Sequence, residues 1–261
     1  MGGPTIADIT PMIITFNEAP NIGRCLERLT WAKRILVIDS GSTDETLAIV
    51  ARYPQAVVVT RPFDTFAGQC NFGLSKVETE WVLSLDADYI LAPDARAQFE
   101  SVTDQACAGF LAAFTYCIHG HPLRGTLYPP RVVLYRRALG TYRDEGHGHR
   151  LQIDGAIGRL SAKIEHDDRK SLSRWLASQQ SYARREADYL LSAKTSELGR
   201  TDRIRRMAWP APIFVFFYAL VVKGCLFDGW PGWHYVLQRV SAEAIIALEL
   251  IDRRLLRKTG S

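Results

Sequence analysis

Trp81-Val82-Leu83-Ser84-Leu85-Asp86-Ala87-Asp88 reads as a buried strand that delivers two carboxylates at its C-terminal tip. Alternate residues of an extended chain share a face, so Asp86 and Asp88 are expected to point the same way. Either carboxylate is costly to leave unpaired in apolar surroundings. A divalent cation such as Mg2+ or Mn2+, carrying a phosphorylated substrate, satisfies both, because hard ions prefer oxygen ligands. A strand that simply ends in a polar turn is the competing reading, and an Asp-x-Asp triplet alone does not separate the two.

The chain upstream supplies the context. Met12–Thr15 reads as a first strand, with its start blurred by Pro11. Asn17 is expected to cap a helix whose apolar stripe is Ile22, Cys25, Leu26 and Leu29. Arg34–Ile38 forms a second strand ending at Asp39; Ser40-Gly41-Ser42 turns the chain, and Thr43 begins another helix. Ala56–Val59 is a third strand, and a helix over Ala67–Lys76 leads into Trp81–Leu85. Crossovers of this length predict an α/β fold with a doubly wound, mostly parallel sheet and helices on both faces. Ligands of such sheets gather beyond the strand carboxyl ends, which groups Thr15–Glu18, Asp39–Asp44 and Asp86–Asp88 in one crevice. Three polar tips together point to a nucleotide-phosphate site. The glycine fingerprint of dinucleotide-binding folds and the phosphate-loop lysine motif are both missing, which weakens dehydrogenase and P-loop readings.

Farther on, Phe110–Cys117 and Arg131–Tyr135 suggest an antiparallel edge, and Gly120–Pro130 a loop over the site. Asp144-Glu145-Gly146-His147-Gly148-His149 is the evident source of an acid–base group, with a solvated polar loop as the alternative. His166 either completes a metal shell with the carboxylates or bonds the adjacent Asp167 and Asp168. Arg174, beside Trp175, is a candidate for diphosphate.

In bulk the 261 residues, 47% apolar and 23% charged, are those of a folded chain able to bury a large core. The net charge is only +4, but basic residues crowd 170–206 and 253–258. That asymmetry suits phosphates or an anionic membrane surface. Nucleic acid is not expected as a partner, since no binding motif accompanies the charge. Five scattered cysteines read as reduced core thiols, and the start lacks a signal-peptide pattern, so a catalytic domain inside the cell is expected. Ala211–Val222 is apolar and flanked by Trp209, Trp230 and Trp233, yet shorter than the roughly 20 residues that span a bilayer as a helix. A monotopic interfacial helix, a homodimer interface and a buried helix all remain open for it. Val236–Leu256 reads as a last amphipathic helix.

Taken in order, Pro11–Glu18, Val37–Asp44 and Leu83–Asp88, with Gln69 and Asn71 before the last block, closely resemble family 2 glycosyltransferases of GT-A fold. The later Asp154-Gly155, Ile164-Glu165-His166, Ser171-Leu172 and Tyr182 resemble the bacterial branch related to lipopolysaccharide-core glucosyltransferases. The resemblance implies an inverting transferase that uses a sugar nucleotide; its motifs do not identify the donor, for which UDP-glucose is the leading choice. It implies that Phe16, Glu18, Gln69 and Asn71 help hold the nucleotide, that Asp39 contacts its base, and that Asp86 and Asp88 meet the diphosphate and Mg2+ or Mn2+. The branch often carries a His-Glu pair before Asp-Gly; here Gly148-His149 stands there and Glu145 and His147 lie earlier, so the base falls to Glu145, then His147. A lipid-linked saccharide acceptor follows from the same resemblance, and the basic segment and aromatic-flanked apolar stretch independently favour a peripheral or monotopic place, expected at the cytoplasmic face of the bacterial inner membrane. The expected division is 1–168 for the catalytic domain and 169–261 for a basic helical extension. A polyprenyl-phosphate glycosyltransferase is the enzymatic alternative; a nucleotide-sugar-binding or membrane-organising protein is the non-enzymatic one.

Overall fold

The computed structural model describes residues 8–102, 106–145 and 148–259. These divide into two compact units, the second built mainly from Lys170 onward with Leu123–Leu127 added.

In the first unit, strands β1 (Ile9–Thr15), β2 (Ile35–Asp39), β3 (Ala56–Thr60) and β4 (Trp81–Asp86) are parallel and lie in the order β3-β2-β1-β4. The chain winds outward from β1, then returns to place β4 on its other side, so the winding direction switches between β1 and β4. Three helices make the crossovers: α1 (Ile22–Glu27), α2 (Thr46–Val50) and α3 (Phe66–Lys76). Period-two alternation divides the apolar side chains between the faces. Ile13, Ile35, Val37, Leu83 and Leu85 pack with Ile22, Cys25, Leu26 and Val50. Met12, Leu36, Ile38 and Val82 pack on the other face with Ala67, Cys70 and Leu74 of α3. Burial of each large aliphatic side chain contributes about 1.5–3 kcal/mol, so the alternation itself holds the register. At Gly73 a Cβ would meet Met12 Sδ at 2.6 Å and Ile38 Cγ1 at 3.1 Å, so a side chain there would have to displace the buried Met12.

Two local expectations change. β1 begins at Ile9, before Pro11, and its ladder with β2 starts only at Met12↔Leu36, one residue past the proline. Asn17 does not cap α1; Asn21 holds that position. Asn17 instead takes a left-handed conformation (φ 54°), and its Oδ1 accepts from the backbone N–H of Thr43 at 2.7 Å and Asp44 at 3.2 Å. The short amide thus ties the β1 tip to the β2 tip. The following helix begins at Thr46, and Asp44 Oδ1 accepts its N–H at 3.0 Å.

Beyond β4 come β5 (Tyr89–Ile90), α4 (Ala95–Ser101), β6 (Cys107–Ile118), β7 (His121–Pro122), β8 (Arg131–Arg136), β9 (Gly140–Glu145), β10 (Gly148–Ile153) and β11 (Ala156–His166). The main sheet continues β4-β8-β6-β11-β5, while β9 and β10 form a separate ribbon. β8 is antiparallel to both its neighbours, with Leu83↔Leu134 and Phe110↔Leu134 in register. The antiparallel pair expected at an edge therefore sits inside the sheet, because β11 and β5 cover β6 on its far side.

The second unit holds α5 (Leu172–Ser192), α6 (Arg200–Arg206), α7 (Pro210–Phe217), which runs on as a π-helical turn to Val222, and α8 (Gly229–Thr259). Its core gathers Ala183, Ala187, Leu190, Ile246 and Leu250. The buried Glu243 carboxylate is neutralised by Arg205, at 2.9 Å from Nε and 2.6 Å from Nη2. On α7 and its flanks, Ile213, Phe214, Phe217, Val221, Val222, Phe227 and Trp230 are exposed, so α7 is not a wholly buried helix. Among the described residues no single helix is long and apolar enough to cross a membrane; one pair, Pro210–Val222 with Cys225–Arg257, meets the length and composition together but bends by 69°.

Candidate active site

The tips of β1, β2 and β4 meet at the switch point. Thr15 pairs with Asp39 on one side of β1, and Ile14 with Asp86 on the other. Asp39 has no solvent exposure. Its Oδ2 accepts from Gly41 N at 2.8 Å and Ser42 N at 2.9 Å, and its Oδ1 from the Ser42 hydroxyl at 2.5 Å. The carboxylate thereby shapes the turn through Gly41, whose φ of +92° suits a residue without Cβ. Gln69 Nε2 donates to Ser40 Oγ at 2.9 Å and to the Arg61 carbonyl at 2.8 Å, bracing the same turn from α3. Asn71 lies one step along: its amide donates to the Tyr142 carbonyl and accepts from the Tyr142 N–H, both at 2.9 Å, which clips α3 to β9. Phe16 is exposed beyond β1, and Glu18 Oε2 accepts from Asn21 Nδ2 at 2.8 Å.

β4 ends at Asp86, and Ala87-Asp88 form the turn into β5, so strict alternation stops before Asp88. Asp88 is nearly buried, and its Oδ2 lies 3.1 Å from His166 Nε2 at the end of β11. The β5–β11 pairing (Tyr89↔His166) and the Asp167 N–H donated to the Asp88 carbonyl at 3.1 Å hold the two together. Rings of Tyr116 and Tyr128 pack on the imidazole, with centroids at 4.7 and 4.5 Å. Burial works against charge on His166, but the carboxylates of Asp88 and Asp86 outweigh it and raise its pKa. Behind this pair, Asp167 is buried and accepts from Arg24 Nη1 at 2.7 Å, Arg169 Nε at 2.9 Å and Gly120 N at 3.1 Å. Arg24 Nη2 also donates to the Asp167 carbonyl and to Asn21 Oδ1, and Asn21 returns to Glu18. One hydrogen-bonded chain therefore links the β1 tip to the Asp88–His166 pair.

Arg24, Tyr116, Tyr128 and Arg131 escape a reading from sequence alone, and Asp167, read there as a possible partner of His166, instead receives Arg24, Arg169 and Gly120. Only Arg131 leaves a trace there, as a cation opening an otherwise apolar strand. Glu145 is the last residue of β9, and His147 lies outside the described residues. Arg174 belongs to the second unit, in the first turn of α5, where its N–H is accepted by Ser171 Oγ.

The model for glycosyl transferase family 2 matches residues 12–145, just over half of the chain. The chain belongs to that family. A lipopolysaccharide core biosynthesis glycosyltransferase of Rhizobium meliloti, LpsC, is 26% identical over 216 residues, 79% of this chain and 78% of that protein. An uncharacterised glycosyltransferase of Rickettsia felis is 35% identical over 95 residues, 36% of this chain and 33% of its own. Among solved structures, a Pyrobaculum calidifontis mannosyltransferase in complex with GDP-Man and Mn2+ aligns with a TM-score of 0.57 at 15% identity, covering 96% of this chain and 89% of its own. Residues 1–349 of Staphylococcus aureus TarS, in complex with UDP-GlcNAc, align with a TM-score of 0.50 at 17% identity, over 97% and 92% of the two chains. The fold is GT-A and the protein is a glycosyltransferase.

Family 2 membership raises the question of whether these residues fit a divalent ion. Two ligands at right angles on an octahedral ion, each about 2.1 Å from it, stand roughly 3 Å apart. Asp88 Oδ2 and His166 Nε2 are 3.1 Å apart. Among the described residues no group of three or more His, Cys, Asp or Glu forms a closed metal cage, and Asp86 does not complete one. Mg2+-type ions on nucleotides take one or two protein ligands and complete their shell with phosphate and water. A carboxylate oxygen beside an imidazole nitrogen fits that pattern, and the nitrogen suits Mn2+ better than Mg2+.

Proposed function

We propose that this glycosyltransferase moves a hexose from a sugar nucleotide, UDP-glucose being the first donor to test, onto a lipid-linked saccharide of the lipopolysaccharide-core type, with inversion and with Mg2+ or Mn2+. The observation that carries the reading is the convergence of three strand tips on one switch point, with Asp88 and His166 at ligand spacing there. The similarity to LpsC supports the acceptor class.

In this reading Phe16 and the Asp39–Ser42 turn receive the nucleoside, with Gln69 holding the turn in shape. Asp88 and His166, with Asp86 alongside, would hold the metal, whose charge would assist departure of the nucleoside diphosphate. The acceptor hydroxyl attacks the anomeric carbon as the bond to the diphosphate oxygen breaks, and its proton passes to Glu145, with His147 as second choice. Residues 170–261 carry 15 basic against 8 acidic side chains, and this excess accompanies the exposed apolar residues of α7. That combination supports a peripheral seat on an anionic membrane surface.

The decisive experiment incubates the enzyme with a panel of sugar nucleotides and membrane glycan extract, reading products by mass spectrometry and anomeric configuration by NMR. Transfer to the saccharide, lost with EDTA and restored by Mn2+, is expected. Product on polyprenyl phosphate but not on saccharide would replace the acceptor, and turnover indifferent to rigorous metal removal would overturn the metal reading. For the membrane seat, serine at Phe214, Phe217 and Trp230 together should abolish flotation with vesicles containing phosphatidylglycerol. Unchanged flotation, or a concentration-dependent dimer lost in the same variant, would assign the patch to protein instead.

A further inference from the structure

Arg131 opens β8, a strand that otherwise buries Val133, Leu134 and Tyr135. β8 pairs with β4 through Trp81↔Arg136, Val82↔Tyr135 and Leu83↔Leu134. That ladder ends at Leu83, and β8 shifts register against β6 between Leu134 and Val132; Arg131 nonetheless lies near enough to Asp86, the last residue of β4, for that carboxylate to favour its charge. The two arginines at the ends of β8 have different surroundings. Arg136 ion-pairs with Glu80, lies over the Trp81 ring at 4.6 Å and donates to the Cys107 carbonyl. The Arg131 backbone pairs with Ala112 in the ladder, but its side chain makes no hydrogen bond and no ion pair among the described residues, and its guanidinium sits 4.8 Å from the centroid of Tyr128. Burial disfavours its charge, but the oxygens of Tyr89 and Tyr128 and the Asp86 carboxylate outweigh that and keep it protonated.

A half-buried guanidinium with five donors and no acceptor is expensive, so its presence needs a ligand anion or a compensating field. The field of Asp86 serves while the crevice is free. With a divalent cation bound at Asp86 and Asp88, that field would be offset and the Arg131 charge left without a counter-charge. A sugar nucleotide brings two negative charges, and breaking its anomeric C–O bond leaves the electron pair on the terminal phosphate, adding a third. A guanidinium near that phosphate would suit the increase, since its planar fork binds phosphate in pairs of hydrogen bonds.

We propose that Arg131 is a catalytic residue that grips the terminal phosphate of the nucleoside diphosphate and takes up the charge appearing on it as the donor bond breaks. This rests on the reading of the crevice as a sugar-nucleotide site. The carbon–oxygen bond to the diphosphate is the one that breaks, the bond to the acceptor oxygen forms, and the acceptor proton leaves to the base; Arg131 stays protonated throughout. Tyr128 packs on both the guanidinium and His166, and so holds Arg131 near the Asp88–His166 pair.

The test is calorimetric titration of wild type, Arg131→Gln and Arg131→Lys with UDP and UMP, and GDP and GMP in parallel, in Mn2+. Arg131→Gln should weaken diphosphate binding tenfold or more and monophosphate binding less than threefold, with Mn2+ affinity unchanged. Arg131→Lys should lie between, keeping charge without the fork. Equal losses for diphosphate and monophosphate, or none, would overturn the assignment of Arg131 while leaving the crevice reading intact. Wild type that binds neither diphosphate would remove the crevice reading and this inference with it. Should Arg131→Gln not fold, peptide mapping of wild type after phenylglyoxal treatment decides: UDP must protect Arg131 where UMP does not, and equal labelling refutes the contact.

Discussion

Replacing Asp167 by Asn removes one charge from the junction behind the Asp88–His166 pair while preserving its shape. The wild-type carboxylate is 1% exposed and accepts from Arg24 at 2.7 Å, Arg169 at 2.9 Å and Gly120 N at 3.1 Å. Arg169 is 42% exposed, so solvent screens its share, whereas Arg24 is 22% exposed and carries most of the effect. Breaking a buried ion pair costs about 3–5 kcal/mol, because the surviving charge stays uncompensated. Arg24 keeps the Asn21 side chain and the Asp167 carbonyl as acceptors, which puts the expected loss near the lower end, about 3 kcal/mol. For a chain of this size each kcal/mol moves the midpoint by about 2–4 °C, so calorimetry in EDTA should show a fall of about 6–12 °C. Asp168→Asn, which keeps an acceptor for Asn21, is the control and should move it by less than about 2 °C. Combined with Arg24→Gln, the cycle should return a coupling of about 2 kcal/mol. The Asp167 N–H also holds the Asp88 carbonyl, so Mn2+ affinity should fall in the same variant. A midpoint within 2 °C of wild type, or additive single substitutions, would refute the buried-pair argument.

His166 has its pKa raised above 6.5 against burial by Asp88 and Asp86. Its contribution to the metal-free protein is therefore full below about pH 6.5 and lost as pH rises through the raised value, so His166→Asn should cost more midpoint at pH 6 than at pH 9; the reverse order would contradict the pairing. Gly73→Ala drives a methyl into Met12 Sδ and should destabilise by about 1–3 kcal/mol in urea unfolding, whereas an unchanged midpoint would mean that α3 stands off freely. All five thiols are buried, and burial, the largest cause, pushes Cys117 up to about 12 and Cys225 to about 11. Native protein at pH 8 should therefore release less than one equivalent from Ellman's reagent in the first minutes, and five after unfolding.

Most of the parallel half of the sheet was legible because Ile35–Ile38, Ala56–Val59 and Trp81–Leu85 are apolar runs separated by helix-length crossovers, each ending in polar residues. The position of β8 was not legible: an antiparallel insertion is set by pairs such as Leu83↔Leu134, which no local pattern announces. Asn17 looked like a helix cap because its side chain competes for backbone N–H groups. It does so in the fold, but for Thr43 and Asp44, far along the chain. Asp86 and Asp88 were visible as a triplet, yet their shared face was argued from alternation that the turn at Ala87-Asp88 interrupts. Asp167 and Asp168 are identical neighbours in sequence, and only burial separates the one that receives Arg24. Long-range polar partners of this kind have no period to detect.

The insertion of β8 also orders the birth of the molecule. A nascent chain has β1 to β4 before it has Arg131–Arg136, so the flank of β4 that β8 will pair with must wait through the whole of α4, β6 and β7. Until then the strand ending in Asp86 is a bare edge with open backbone groups, and a ribosome that stalls within that interval leaves a half-sheet ready to pair with a stranger.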